Sequence, residues 1–188
     1  MNPDSGLAAR TQPLLLGIIV FLASEMMFFA GLFAAYYSLR AINQQWPPPG
    51  VHLDLAYSGL GTAMLAVSDG TMILVQRALA RRRLQAAYTW LTATIALGIG
   101  FLVIAMYDWS IAPFSFASHA YGSLFFTMTG FHALHVLAGV IVLTGLLIAI
   151  AQGAYRRGPF TGADAVAYYW HFVFIVWVGI YLTIYWVR

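Results

Sequence analysis

Five long apolar segments constrain the fold of this chain more than any other feature of its sequence. Each reaches the roughly 20 apolar residues that a helix needs to cross the hydrocarbon of a bilayer. The segments cover residues about 14–39, 55–79, 88–107, 120–151 and 164–187. We therefore expect an all-α fold: a polytopic membrane bundle of five transmembrane helices, forming a single integral membrane domain over residues 1–188.

The composition supports a membrane protein and excludes several other classes. Only 8% of the 188 residues are charged, whereas soluble domains carry about 25%. Cysteine is absent, which excludes disulfides, thiolate metal sites and haem attached through a C-x-x-C-H motif. The N-terminal residues MNPDSGLAARTQP lack the basic region and cleavage site of a signal peptide, so we expect the first segment to be retained as a span.

The basic residues predict the orientation of the chain in the membrane. All nine are arginines that lie between or beside the apolar segments, an arrangement that favours membrane topology over nucleic-acid binding. Two of them, Arg40 and Arg188, fall on one side of the predicted bundle. The other side holds Arg10, Arg77, Arg81, Arg82, Arg83, Arg156 and Arg157. The positive-inside rule then predicts a cytoplasmic N-terminus and an outer, periplasmic C-terminus.

Two carboxyl groups are predicted to lie deep in the membrane. Glu25, in LASEMMFFAGLF, is the only charged residue between Arg10 and Arg40 and lies about 16 Å into the first span. Asp69 lies about 15 Å from the cytoplasmic end of the second span, at nearly the same depth. If the two side chains face each other, one must hold a proton. Alternatively, each is separately neutral and bonds to a serine, a threonine or a backbone carbonyl.

Histidines are the other polar candidates within the spans. His132, His135 and Gly139 in GFHALHVLAG lie on one helical stripe, which predicts a helix–helix interface. His171 lies about two turns inside the fifth span. Metal or haem ligation would need further ligands from other helices, so we favour a structural or lipid-linked role and predict no metal site. No phosphate-binding loop or nucleophile elbow occurs, and no catalytic residue is predicted.

Four stretches of the chain share the motifs of one protein family. They are SEMMFFAGLF (24–33), APFSFASHAYGSLFF (112–126), TGFHALHVLAGVIVL (129–143) and YYWHFVFIVWVGIYLTIYW (168–186). In this order and spacing they resemble subunit III of the haem–copper cytochrome c oxidases. The resemblance covers nearly the whole chain, and the combination of S-E-x-M-F-F, G-F-H-x-L-H-V and Y-W-H-F-V is specific although each motif alone is weak.

The resemblance implies a bundle packed beside the catalytic subunit I, in one complex with subunit II, in a bacterial plasma membrane. Haem and copper are then expected in the partner subunits, which reduce dioxygen and pump protons, and none in this chain. Family members bind phospholipid in a cleft between helices, and the motif glutamate, here Glu25, lies in that region. Subunit III is thought to support proton uptake through subunit I. The motif histidines correspond to His132, His135 and His171.

The chain also departs from the family pattern. Longer members have two helices before the S-E segment, so a lipid site here is expected to be incomplete, reshaped or completed by another subunit. Asp69 occupies a position that is commonly small or polar and uncharged, Asp108 stands where glutamate is usual, and Phe174 stands where aspartate is frequent. We count Glu25, Asp69 and the three histidines as lipid-linked, interface or proton-linked candidates.

Three other functions remain open at this point. A related subunit of a quinol oxidase or of a nitric oxide reductase would have much the same sequence. An independent proton channel or transporter is suggested by mid-membrane carboxyl groups, although no broken helices or inverted repeats support it. A haem-binding membrane subunit is the third alternative, and it would use the histidines as ligands.

Overall fold

Five long helices make up the computed structural model, which describes residues 4–51, 53–153 and 162–187, with side chains from residue 16 onward. The helices are α1 (Asp4–Ile42), α2 (Leu55–Ala80), α3 (Leu84–Ile111), α4 (Ala120–Ala151) and α5 (Gly162–Tyr181). A single π-helical turn, Leu182–Trp186, continues α5. All five helices are long and apolar enough to cross a membrane. The predicted all-α fold with five membrane-spanning helices is confirmed.

The helices extend beyond the predicted spans at several ends. α1 begins at Asp4, although its apolar part starts only at Leu16. α3 runs to Ile111 instead of 107 and ends where Ala112 adopts an extended conformation, with ψ of 129°. Ala112 precedes Pro113, and a residue before proline is disfavoured in the helical region. Hydropathy indicates where the hydrocarbon of the membrane ends, whereas the helix ends where its backbone hydrogen bonds are interrupted.

Four of the helices form a closed ring, and the fifth lies outside it. The largest interface joins α2 to α3, and further interfaces join α3 to α4, α4 to α5, and α5 back to α2. The first helix, α1, instead lies against α4 and α5. Among its described side chains, Phe29 and Tyr36 are buried. The hydroxyl of Tyr36 donates to the backbone oxygen of Thr183, 3.2 Å away.

From Leu16 onward, most side chains of the first helix have no packing partner among the described residues. Met27 and Ile42 are 76% and 77% exposed, and large apolar side chains such as Leu16 and Val20 are also exposed. In a membrane such a face contacts lipid or another protein, because lipid tails are as apolar as these side chains. The peripheral position of α1 matters for the site below, since Glu25 lies on this helix.

Trp170 packs at the centre of the four-helix ring. Its side chain is 1% exposed, and its indole nitrogen donates to the hydroxyl of Ser68 on α2, 3.2 Å away. The six-membered part of the indole lies against Gly98 of α3 and Gly139 of α4. A β-carbon on Gly139 would come within 2.7 Å of the ring. Glycine is therefore required at this contact because a side chain of α5, rather than its backbone, fills the space.

The stripe predicted on α4 lies at helix–helix contacts but does not face a single neighbour. His132 and Gly139 are buried, whereas His135 is half-buried and reaches Glu25 on α1. At the N-terminal end of the same helix, Nδ1 of His119 accepts a hydrogen bond from the backbone of Gly122 at 2.8 Å. The imidazole thereby satisfies one of the free amide groups that begin a helix, as a serine or aspartate cap would. This position agrees with the end of a span rather than its middle.

The arginines are separated between the two ends of the bundle. Arg77 lies in the last turn of α2, and Arg81, Arg82 and Arg83 form its connection to α3. Arg40 lies in the last turn of α1, at the opposite end. His52, Arg156, Arg157 and Arg188 lie outside the described residues, as does the side chain of Arg10. The direction in which the bundle crosses the membrane remains a prediction from the arginine distribution.

Candidate functional site

Glu25 and His135 form the first of two carboxylate–histidine pairs within the membrane-spanning region. Glu25 follows Leu16, where the apolar part of α1 starts, by nine residues, or about 14 Å along the helix. Its Oε2 lies 2.9 Å from Nε2 of His135 on α4. The other ring nitrogen of His135, Nδ1, lies 2.7 Å from the backbone oxygen of Phe131. The ring of Phe29 packs edge-on against the same imidazole, with centroids 5.1 Å apart.

Asp69 and His171 form the second pair, between α2 and α5. Oδ1 of Asp69 lies 2.5 Å from Nδ1 of His171. On the far side of the ring, Nε2 of His171 lies 3.3 Å from Oε1 of Gln76. Gln76 is seven residues after Asp69, two helical turns closer to the arginine-rich end of α2. A line of three polar side chains therefore extends from the middle of the span toward that end.

The structure does not support a direct Glu25–Asp69 pair. Each carboxylate instead hydrogen-bonds to its own histidine, one between α1 and α4 and the other between α2 and α5. The alternative, in which serine, threonine or a backbone carbonyl satisfies each acid, is also wrong. Equal depth along two helix axes does not bring side chains together, because contact also depends on the direction around each axis and on which helices are neighbours. α1 packs against α4 and α5, not extensively against α2.

A backbone contact constrains the protons of the first pair. A backbone carbonyl only accepts, so Nδ1 of His135 must carry a hydrogen to bond Phe131. One further proton then lies between Oε2 of Glu25 and Nε2 of His135, because two unprotonated acceptors would repel each other at 2.9 Å. This pair has no net charge, whether the proton is on oxygen or on nitrogen. In the second pair, the side-chain amide of Gln76 faces Nε2 of His171.

Pairing with a histidine explains how two acids are tolerated at mid-membrane depth. An isolated charge there costs several kcal/mol, and a hydrogen-bonded histidine offsets part of that cost. Both pairs are nevertheless only partly covered by this chain. The side chains of Glu25 and His135 are 23% and 16% exposed, and those of Asp69 and His171 are 15% and 26% exposed. The second oxygen of each carboxylate makes no hydrogen bond within the part of the chain that the structure describes.

His132 is separated from both pairs. It is fully buried, stacks on Trp177 with ring centroids 4.9 Å apart, and meets the edge of Phe101. Neither ring nitrogen has a hydrogen-bond partner among the described residues. His132 and His135 are three residues apart, which leaves them about 60° apart around the helix. That angle directs His132 into the four-helix ring and His135 toward α1.

Two polar residues with buried or paired side chains were not among the sequence candidates. Gln76 is the last of the three polar side chains that begin with Asp69, and it contacts His171. Oδ2 of Asp108 accepts a hydrogen bond of 3.0 Å from the hydroxyl of Tyr185. Asp108 is 9% exposed and borders a cavity of about 20 Å³ that also touches Ser58 and Thr129. Such a volume holds about one water molecule. In the sequence, Asp108 could have been recognised as a candidate because it is an acid between two aromatic residues, Tyr107 and Trp109, at the end of the third span.

The described residues contain no group of three or more histidine, cysteine, aspartate or glutamate side chains that could hold a metal ion. The two histidines that pair with carboxylates use both ring nitrogens in hydrogen bonds. A haem or metal ligand needs a free ring nitrogen. The arrangement therefore supports hydrogen bonding and proton sharing rather than ligation at His135 and His171.

Comparison with known proteins gives a consistent relationship along the whole chain. Residues 6–188 match the family model described as cytochrome c oxidase subunit III. A cytochrome c oxidase subunit 3 of Corynebacterium diphtheriae is 38% identical, over 100% of this chain and 96% of that protein. A probable cytochrome c oxidase subunit 3 of Nocardia farcinica is 39% identical, over 100% and 97%. A cytochrome c oxidase subunit 3 of Thermostichus vulcanus is 32% identical, over 90% and 85%. This chain, a multi-pass helical membrane protein, belongs to the cytochrome c oxidase subunit III family.

Proposed function

We propose that this chain is the accessory, non-redox subunit III of a bacterial terminal cytochrome c oxidase, located in the plasma membrane. In this proposal it packs beside subunit I, in one complex with subunit II, and the partner subunits carry the haem and copper that reduce dioxygen and pump protons. The two carboxylate–histidine pairs stabilise the contact with subunit I and support its proton uptake. Phospholipid covers the surface around Glu25 that subunit I does not contact.

The observation that carries this proposal is the partial exposure of two polar pairs at mid-membrane depth. Polar groups in a span normally face protein or a water-filled cavity, because contact with lipid tails leaves their hydrogen bonds unmet. Glu25 and Asp69 each keep one carboxylate oxygen without a partner in the described chain. A neighbouring subunit that donates hydrogen bonds to these oxygens would satisfy both. The exposed apolar face of α1 beside Glu25 offers the remaining contact area.

A role in proton uptake is consistent with the chemistry of the pairs. In this proposal each pair shares one proton, which moves between oxygen and nitrogen without a change in net charge. Beyond His171, the amide of Gln76 continues the Asp69 line toward the arginine-rich end. Such a line gives a protonatable group access to the predicted cytoplasmic side, where protons enter an oxidase that pumps outward.

Substitution in the intact oxidase tests the proposal. Glu25→Gln removes the shared proton while keeping the size of the side chain, and Asp69→Asn does the same in the second pair. We expect faster loss of oxygen-reduction activity over many turnovers and weaker co-purification with subunit I. Asp164→Asn is the matched control because Asp164 is an exposed acid in the first turn of α5, outside both pairs. If the Glu25 and Asp69 variants behave like this control in both measurements, the assigned role is wrong.

A further inference from the structure

A groove at the arginine-rich end of the bundle takes no part in either carboxylate–histidine pair. It lies where α2 ends and α3 begins, and its volume is about 230 Å³. We call it the arginine groove, and it is lined by Leu74, Arg77, Ala78, Arg81, Arg83, Ala86 and Trp90. Three of its seven lining residues are cationic and none is acidic.

The three arginines have no acidic partner among the described side chains. Arg77, Arg81 and Arg83 are all exposed, and none forms an ion pair with a carboxylate among the described side chains. Three guanidinium groups around one space repel each other unless an anion lies between them. Guanidinium groups bind phosphate oxygens through two parallel hydrogen bonds, which gives both affinity and orientation. The charge of the groove is therefore complementary to a phosphate.

The remaining lining residues fit the non-phosphate part of a lipid. Leu74, Ala78 and Ala86 form an apolar wall, and Trp90 is 39% exposed beside it. Tryptophan is enriched where the hydrocarbon meets the head groups, because its ring is amphipathic. The groove lies at the end of two membrane-spanning helices, which is the level at which lipid phosphates are found. A soluble anion would use the arginines but not this wall.

The turn between the helices brings the three arginines together at a conformational cost. Arg82 has φ of +54°, and its amide donates to Leu79 while that of Arg83 donates to Ala78, both at 2.9 Å. This is the helix-ending arrangement in which glycine is the preferred residue. A residue with a β-carbon is sterically strained there. The reversal places Arg83, at the start of α3, beside Arg77 and Arg81 of α2.

We propose that the arginine groove binds the head group of an anionic phospholipid, such as phosphatidylglycerol or cardiolipin. The guanidinium groups of Arg77, Arg81 and Arg83 hold the phosphate, and Trp90 contacts the glycerol and the upper acyl chain. The predicted orientation puts this groove in the cytoplasmic leaflet, where an anionic surface attracts basic residues. The site is distinct from lipid around Glu25, and it requires no contact with subunit I.

Titration of the purified full-length chain with defined lipids, followed by native mass spectrometry from detergent, tests this site. Phosphatidylglycerol is compared with phosphatidylcholine of the same acyl chains, and we expect a preference of about a hundredfold from three arginines. Arg77→Gln and Arg81→Gln should each weaken phosphatidylglycerol binding about fivefold. The matched control is Arg82→Gln, which removes the same charge from the same turn but does not line the groove. It should weaken phosphatidylglycerol binding much less than Arg81→Gln does.

Three results would overturn the proposal. Equal binding of the two lipids would show that the groove does not select for negative charge. A loss with Arg82→Gln as large as that with Arg81→Gln would show that only the total charge of the turn matters. Displacement of phosphatidylglycerol by an equal concentration of soluble glycerol 3-phosphate would indicate a site for free phosphate. If one variant fails to fold by circular dichroism, Arg83→Gln serves in its place, because this side chain is also exposed and lines the groove.

Discussion

Substitution of Gly139 by alanine tests the packing at the centre of the four-helix ring. An added β-carbon would lie 2.7 Å from Cζ3 and 2.8 Å from Cε3 of Trp170, whereas ordinary contacts begin at 3.4 Å. The ring would have to move by about 0.7 Å (3.4 − 2.7). It cannot do so easily, because Gly98 contacts its other edge and Ser68 accepts a hydrogen bond from its nitrogen.

The expected cost follows from two opposing contributions. Overpacking of this kind costs about 1–3 kcal/mol, and replacing glycine by alanine within a helix returns about 1 kcal/mol. Gly139→Ala should therefore lower the free energy of unfolding by up to about 2 kcal/mol. Gly145→Ala is the matched control on the same helix, since a β-carbon there meets nothing within 4 Å. The control should gain the helical contribution alone, which leaves about 1–3 kcal/mol between the two variants.

Unfolding of the purified chain in mixed micelles with increasing dodecyl sulfate, followed by circular dichroism, measures this difference. A double variant then tests the cause: Trp170→Phe removes the part of the ring that meets the new β-carbon. Trp170→Phe should lower the free energy of unfolding less in the Gly139→Ala variant than in the original chain. Such a difference is a favourable coupling between neighbouring sites. The reasoning is refuted if Gly139→Ala unfolds together with Gly145→Ala, or if the two substitutions at Gly139 and Trp170 are additive.

Three further predictions concern the stability of single positions in the same unfolding assay. Arg82→Gly should stabilise the chain by about 1 kcal/mol, because glycine adopts φ of +54° without steric cost; no change would mean that the turn is not under strain. Tyr185→Phe removes the donor to the buried carboxylate of Asp108 and should cost about 1–3 kcal/mol, so a neutral result would count against that bond. His132→Leu replaces an imidazole that has no hydrogen-bond partner among the described residues. It should be neutral or stabilising, since an unmet buried polar group costs about 1–3 kcal/mol, and a large loss would reveal a partner for the ring.

The membrane-spanning architecture could be predicted from the sequence because it depends on local properties. Length and hydropathy along the chain define a span, so α2 and α4 begin and end within a residue of the predicted bounds. The depth of Glu25 and Asp69 was accessible for the same reason, since the helical rise converts residue number into distance. The family motifs added the identity of the subunit, which composition and periodicity do not contain.

The partners of the polar residues were decided only by the tertiary structure. His132 and His135 share a motif, yet the first is buried against Trp177 and the second reaches Glu25. Asp69 pairs with His171, more than 100 residues away in the chain. Such pairings depend on which helices are neighbours and on how each is rotated about its axis. The order of spans in the sequence specifies depth, but it specifies neither the neighbours of each helix nor its rotation. Five apolar helices can pack around one another in many orders, and side chains such as Trp170 with its contacting glycines select one of them.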